Sequence, residues 1–323
     1  MRQTLIKIII VLIAIGGVVF SVAYFIKQDF WGGYGDKNTK LSSSQKADQK
    51  LLLDSGQLMA DGKYAEGRKV ISDLLAKGKS SVSLILVLAG YSLEEAAMRH
   101  TNASLAQAEV LLSGIAPSAA DNIRYYDLAG VLAYQKGNYD EALNHYAQAL
   151  SLEPKNATAY LHHADALVKK ESYDQAVKFY QKALELGGAE TQARAYIGMA
   201  KVALITKNDT VKATEYLEKG LAKAQYRDTR AKILSLYSMI RVSQNDAEGA
   251  KAYAQQAIDA SSGSELGHLT MARAWFALGE QEQAKQSLND ALRVNVYGVS
   301  YALNKGQASQ DPFMVFMKGY IKQ

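Results

Sequence analysis

No cysteine occurs anywhere in the 323 residues, which excludes disulfide staples, thiolate zinc or iron–sulfur centres and thiol catalysis. Proline is nearly as scarce, with three in the chain, so a proline-rich linker protein is excluded, and an apolar fraction of 48% is too high for wholesale disorder. No block of like charge stands out either. Lys and Arg number 37 against 32 Asp and Glu, a net charge of +5, but the two signs alternate along the chain. That leaves no concentrated basic footprint for nucleic acid. Glycine-rich phosphate loops and the HExxH spacing are missing, and the five histidines, at 100, 145, 162, 163 and 268, form no ligand set. His162 and His163 are adjacent in sequence and so point to different sides of a helix. No motif calls for a catalytic group, a metal or a cofactor, and the expectation is a non-enzymatic binding protein.

What is present begins with one long uncharged run. Residues 8–26 read IIIVLIAIGGVVFSVAYFI, 19 residues, enough to cross the hydrocarbon of a bilayer. Residues 1–27 are therefore expected to form a transmembrane anchor. A cleavable signal peptide competes, because Ser21-Val22-Ala23 resembles a small-residue cleavage site, yet Tyr24, Phe25 and Ile26 continue the apolar run where a polar mature start belongs. Orientation stays open. Lys27, Lys37, Lys40 and Lys46 outnumber Arg2 and Lys7, but long domains translocate largely regardless of such counts. Residues 28–46, with Gly32, Gly33, Gly35 and Ser42–Ser44, read as a flexible tether, with Trp31 and Tyr34 suited to headgroup level.

From 47 to 300 the chain repeats. Tyr126/Tyr160, Gly130/Ala164, Tyr139/Tyr173, Ala142/Ala176, Tyr146/Tyr180, Ala149/Ala183 and Leu150/Leu184 are each 34 residues apart, as are Ala250/Ala284 and Ala257/Ala291. Small residues at fixed places let two helices cross closely, large ones fill the gaps beside them, Gly137-Asn138 breaks the chain between helices and Pro154 ends the second. This pattern resembles the tetratricopeptide repeat (TPR), a helix–turn–helix unit of that period. The resemblance implies an all-α solenoid, wound as a right-handed superhelix, whose first helices line a concave groove that binds segments of other proteins. About seven units are expected, near 48–80, 82–117, 123–156, 157–190, 191–225, 229–262 and 264–297. The spacing widens to 37 from Ala176 to Ala213 and from Ala213 to Ala250; the extra residues are expected in the turn around Lys207-Asn208-Asp209 and in the connection near Tyr226. A longer turn is expected at 99–104.

By the family's pattern, positions 2, 5, 9, 12 and 13 of each unit face the groove. The residues so placed include Tyr134, Leu161, Val168, Met199, Val202, Met239, Val242, Leu269, Arg273 and Phe276, a face that turns apolar toward the C-terminal end. Arg124 and Lys232 fall at polar rim positions. The basic clamp that some family members close on a C-terminal carboxylate is absent at positions 5 and 9, which carry Asp127, Val131, Leu161, Asp165, Ala195 and Met199. The apolar places are equally compatible with a peptide groove and with packing against a neighbouring unit or the C-terminal segment.

Residues 301–323 depart from the repeat. Asp311 is placed to cap a helix beginning at Pro312, and Phe313, Phe316, Met317 and Tyr320 recur on one face, widened by Met314, Val315 and Ile321. Such a helix either closes the end of the solenoid or docks a partner. The whole reads as a membrane-anchored scaffold for other membrane or envelope proteins, serving cell-envelope assembly or secretion (a pilus, a translocon or another envelope complex). It is expected in the bacterial inner membrane with the repeats outside the cytoplasm. A cytosol-facing receptor for delivered proteins and a regulatory subunit of an envelope polysaccharide or peptidoglycan enzyme are the alternatives.

Overall fold

The computed structural model describes residues 50–51, 54–55, 58, 64–76, 82–99, 102–116, 119, 121–305 and 311–321. The expected anchor, 1–27, and tether, 28–46, lie outside these residues. Among the described residues no helix is long and apolar enough to cross a membrane, and the fold is all-helical, with fourteen helices and no strand.

The chain divides into two compact units on either side of Pro154 and Lys155. The first holds α1 (Tyr64–Ala76), α2 (Val82–Arg99), α3 (Asn102–Ile115), α4 (Ile123–Lys136) and α5 (Tyr139–Leu152). Here α2 pairs with α3 and α4 with α5, while α1 and α4 pack on α2. Ile71, Leu74, Leu84, Val87, Leu88 and Tyr91 form its core. The second unit runs α6 (Ala157–Lys169), α7 (Tyr173–Leu186), α8 (Ala189–Lys207), α9 (Thr210–Lys223), α10 (Arg227–Ser243), α11 (Ala247–Ala260), α12 (Glu265–Ala277), α13 (Gln281–Lys305, broken at Asn295) and α14 (Pro312–Ile321). Its hairpins are α6/α7, α8/α9, α10/α11 and α12/α13, and their first helices touch in series: α6 on α8, α8 on α10, α10 on α12.

The small residues do what their spacing suggests. Ala142, Ala149, Ala176, Ala183, Ala213, Ala250, Ala257, Ala284 and Ala291 are fully buried. Gly130 lies so close under the Tyr146 ring, and Gly198 under that of Tyr180, that an added methyl would overlap the aromatic carbons. Each hairpin turn from α4 onward repeats one device. A left-handed residue (Gly137, Glu171, Asn208, Asn245, Gly279) follows the first helix. The next residue then donates its N–H back to a carbonyl of the last turn: Asn138 to Ala133, Ser172 to Leu167, Asp209 to Ala203, Asp246 to Arg241 and Glu280 to Trp275, all at 2.9–3.2 Å. Side-chain caps at Asn122, Asn156, Asp209, Asp246 and Ser264 start the following helices.

Two sequence expectations are corrected. The 37-residue spacings do not lengthen connections; α8 has 19 residues and α10 has 17, against 13 in α6, so the insertions are taken up as helix. An insertion of about one helical turn leaves the buried stripe in phase, since 3.6 residues complete a turn. Nor is there a long turn at 99–104, because α2 ends at Arg99 and α3 begins at Asn102.

Candidate protein-binding face

The C-terminal end of the second unit is closed by the chain itself. Phe313, Met314 and Met317 of α14 are buried in one cluster with Met239 of α10, Leu269 of α12, and Leu288 and Ala291 of α13, and Phe276, Phe316 and Tyr320 pack at its edge. The Phe276 ring lies 5.6 Å from Phe313 and 5.0 Å from Phe316. Asp311 has two tasks. Its Oδ1 accepts from the Met314 N–H at 3.1 Å, capping α14 as its position suggested, and its Oδ2 accepts from Arg273 Nη2 at 2.7 Å. Both charged side chains are buried, and the guanidinium stands 5.4 Å over the Phe313 ring. At the helix's far end the Tyr320 hydroxyl donates to Asn289 at 3.0 Å. Val315, expected on the apolar face, points outward and is 56% exposed.

This closure divides the apolar strip expected from sequence. Met239, Leu269 and Phe276 come together under α14, whereas Met199, Val202 and Val242 lie outside that cluster. Leu161, Met199 and Val202 are buried, Val168 and Val242 half-buried. Tyr134, in the first unit, is half-buried with its ring edge-on to Tyr139 at 5.6 Å. Of the ten groove positions, Tyr134, Val168, Val242 and Phe276 retain surface.

Farther from that end, the face made by α6, α8 and α10 is charged. Lys232 of α10, a rim position by sequence, is half-buried and stands among other cations. Burial first, then the charges of Lys201 and Arg194, push its ammonium down to about 7, against the opposing pull of Asp228 and Asp165. Burial likewise lowers Lys201 to about 8, opposed by Asp165 and reinforced by Lys169 and Arg194. Arg194 and Lys201 are seven residues apart, about two turns, and so share a face of α8. The five family positions do not include them, and the seven-residue spacing is the sequence signal that could have found them. The acids here also serve the fold. Asp165 accepts from the Tyr180 hydroxyl at 2.6 Å and Asp228 from Ser261 at 2.5 Å. Glu265 accepts from Asn295 at 2.5 Å, and burial raises its carboxyl to about 7. Glu190 fixes α8 against α10 by accepting from the N–H groups of Gln225 and Tyr226, at 2.9 and 3.2 Å, and from Thr229.

In the first unit Glu94 is buried, its Oε2 accepts no hydrogen bond among the described residues, and desolvation raises it to about 8. Beside it Arg68 pairs with Glu95 at 2.6 Å. Elsewhere, His163 stacks on Phe179 at 4.2 Å and burial lowers it to about 4. Among the described residues no three His, Asp or Glu side chains are grouped to hold a metal.

Residues 128–191, from α4 to the start of α8, match the tetratricopeptide repeat family. Stress-induced-phosphoprotein 1 of Caenorhabditis elegans is 25% identical over 170 residues, 51% of this chain and 49% of that protein. The chain thus spans about half the length of the curated relative it matches. Among solved structures, the APC/C hetero-tetramer Cut9–Hcn1 superimposes with a TM-score of 0.59 at 13% identity, over 93% of this chain and 62% of the other. A tetratricopeptide repeat protein from Parabacteroides merdae does so with 0.54 at 14%, over 85% and 99%. At such identities these likenesses speak for the fold alone.

Proposed function

We propose that the chain, an all-helical array whose residues 128–191 match the tetratricopeptide repeat family, is a non-enzymatic scaffold, anchored in a membrane by residues 8–26, that holds segments of other proteins against the first helices of its repeats. The observation that carries this reading is the serial contact of α6, α8, α10 and α12, which lays half-buried side chains from successive repeats side by side. The uncharged run at 8–26 supports the anchor, and the order of anchor, tether and array supports work close to a bilayer. The setting proposed is the bacterial inner membrane with the repeats outside the cytoplasm, in envelope assembly or secretion. A cytosolic array acting as a receptor is the second reading, favoured by the lysines that follow the run, Lys27, Lys37, Lys40 and Lys46.

Protease added to intact spheroplasts separates them: digestion of the repeats is expected, and full protection with an intact membrane would overturn the outward orientation. Crosslinking with mass spectrometry on the same membranes is expected to recover envelope proteins. Recovery of a polysaccharide or peptidoglycan enzyme would make the chain its regulatory subunit, and turnover by the purified chain alone would end the non-enzymatic reading.

A further inference from the structure

In the first four hairpins from α4 onward, the residue eight places after the left-handed turn residue is a ring: His145 after Gly137, Phe179 after Glu171, Tyr216 after Asn208 and Tyr253 after Asn245. Each packs on a ring from the first helix of its own hairpin, Tyr126, His163, Tyr196 and Tyr237 in turn, with centres 4.2–6.3 Å apart. The last hairpin breaks the rule. Eight residues after Gly279 stands Ser287, and opposite it α12 carries Met271 where α6 and α10 carry His163 and Tyr237. At Ser287 a cavity of about 510 Å³ opens between α11, α12 and α13, a size ordinary for a ligand site. Met271 and Ser287 are buried in its wall and the Trp275 ring is half-buried there, with the Lys251 ammonium 4.6 Å from the ring centre. His268, Met271 and Trp275 recur at spacings of three and four and so share one side of α12. Leu269, Arg273 and Phe276, which meet α14, lie roughly on the other side. Charge at the cavity is matched within the chain, Lys251 by Glu248 at 2.6 Å and Asp290 by Arg293 at 3.3 Å, which favours an uncharged ligand over an ion. Gln255 turns back to Asp259 at 2.9 Å. Gln283 and Gln286 line the cavity from exposed positions, and each amide both donates and accepts, as a peptide group does.

We propose that the cavity between α11, α12 and α13 binds an uncharged polypeptide segment by a tyrosine or phenylalanine side chain, which takes the place of the ring that Ser287 lacks while Gln283 and Gln286 hold the flanking backbone. An aromatic anchor in a pocket is the usual way a short segment concentrates its binding energy. The site lies across α12 from α14 and is additional to the scaffold face proposed above, which stands whether or not this cavity is used.

The chain has two tryptophans, Trp31 and Trp275, so W31F in the full chain, held in detergent, leaves Trp275 as the reporter. Its emission is followed while a peptide of sequence Ser-Gly-Tyr-Gly-Ser, capped at both ends, is added; the same peptide with alanine for tyrosine, and p-cresol, serve as separate probes. The tyrosine peptide is expected to shift the emission to saturation and the alanine peptide to leave it unchanged. S287Y, which restores the ring of the earlier hairpins, should weaken the tyrosine peptide about tenfold or more while Tm stays level or rises. Q283A/Q286A should weaken the peptide and leave p-cresol as it was. No saturable shift, or one that S287Y leaves intact, would reduce the cavity to a packing void and sink the proposal. Binding of p-cresol as tight as that of the peptide, with Q283A/Q286A without effect on either, would replace the polypeptide with a free aromatic molecule. If S287Y fails to fold, equal responses to the tyrosine and alanine peptides refute the proposal instead.

Discussion

Arg273 and Lys232 lie in the same compact unit on neighbouring first helices, α12 and α10, yet the chain treats their charges differently. Arg273 meets a carboxylate of its own chain, Asp311, at 2.7 Å in a buried pair roofed by Phe313. Lys232 is set beside Lys201 and Arg194, which push it the other way. The partner of Arg273 comes from 38 residues away; on α8 and α10 the cations gather with Asp165 and Asp228 among them. The difference separates a cation closed in by one carboxylate from cations that crowd one another at half-buried positions.

The comparison breaks most readily at Asp311. Replacing it with Ala leaves Arg273 buried without its carboxylate and removes the cap of α14, and the expected loss is about 3–5 kcal/mol of unfolding free energy by chemical denaturation. A near-zero loss would mean that the pair is no more structural than the lysine cluster. Glu94 sharpens the comparison from the acidic side. Its carboxyl is raised by desolvation from an ordinary 4.5 to about 8, so the folded chain keeps a proton that the unfolded chain has released. Its contribution is then fully present below pH 4.5 and is lost as pH rises to about 8. E94Q should flatten that decline and be more stable than wild type at pH 8 by a few kcal/mol, as followed by denaturation midpoints across pH. The smallest effect belongs to Lys182, whose ammonium meets Glu185 at 2.6 Å with both side chains more than half exposed. K182A should leave the denaturation midpoint unchanged, separating burial from distance as the cause of the Asp311 effect.

Much of the fold could be read from residue size. Gly130, Ala142, Tyr146 and their partners 34 positions on recur because a helix crossing tolerates one size at each place, and the structure pairs helices accordingly. The lengthened α8 and α10 were misread because a spacing of 37 records that residues were added and not where; a turn and one extra helical turn look alike in such a count. The site was less legible. The position of Asp311 announced a cap, but nothing in sequence linked it to Arg273, since that pairing depends on where α14 lies down. Likewise Lys232 looks solvated when read along α10 and becomes crowded only once α8 brings Arg194 and Lys201 beside it. Charge burial belongs to helix neighbours far apart in the chain, which is why it escapes a linear reading.

The hairpin arrangement also fixes an order of events in time. Most packing joins helices adjacent in the chain, so folding closes short loops and is fast in its local steps, with each hairpin a foothold for the next. The Arg273–Asp311 pair forms only after α12, α13 and α14 exist together. Its contribution therefore comes late, and its loss should appear as faster unfolding from the C-terminal end, with the refolding rate nearly untouched.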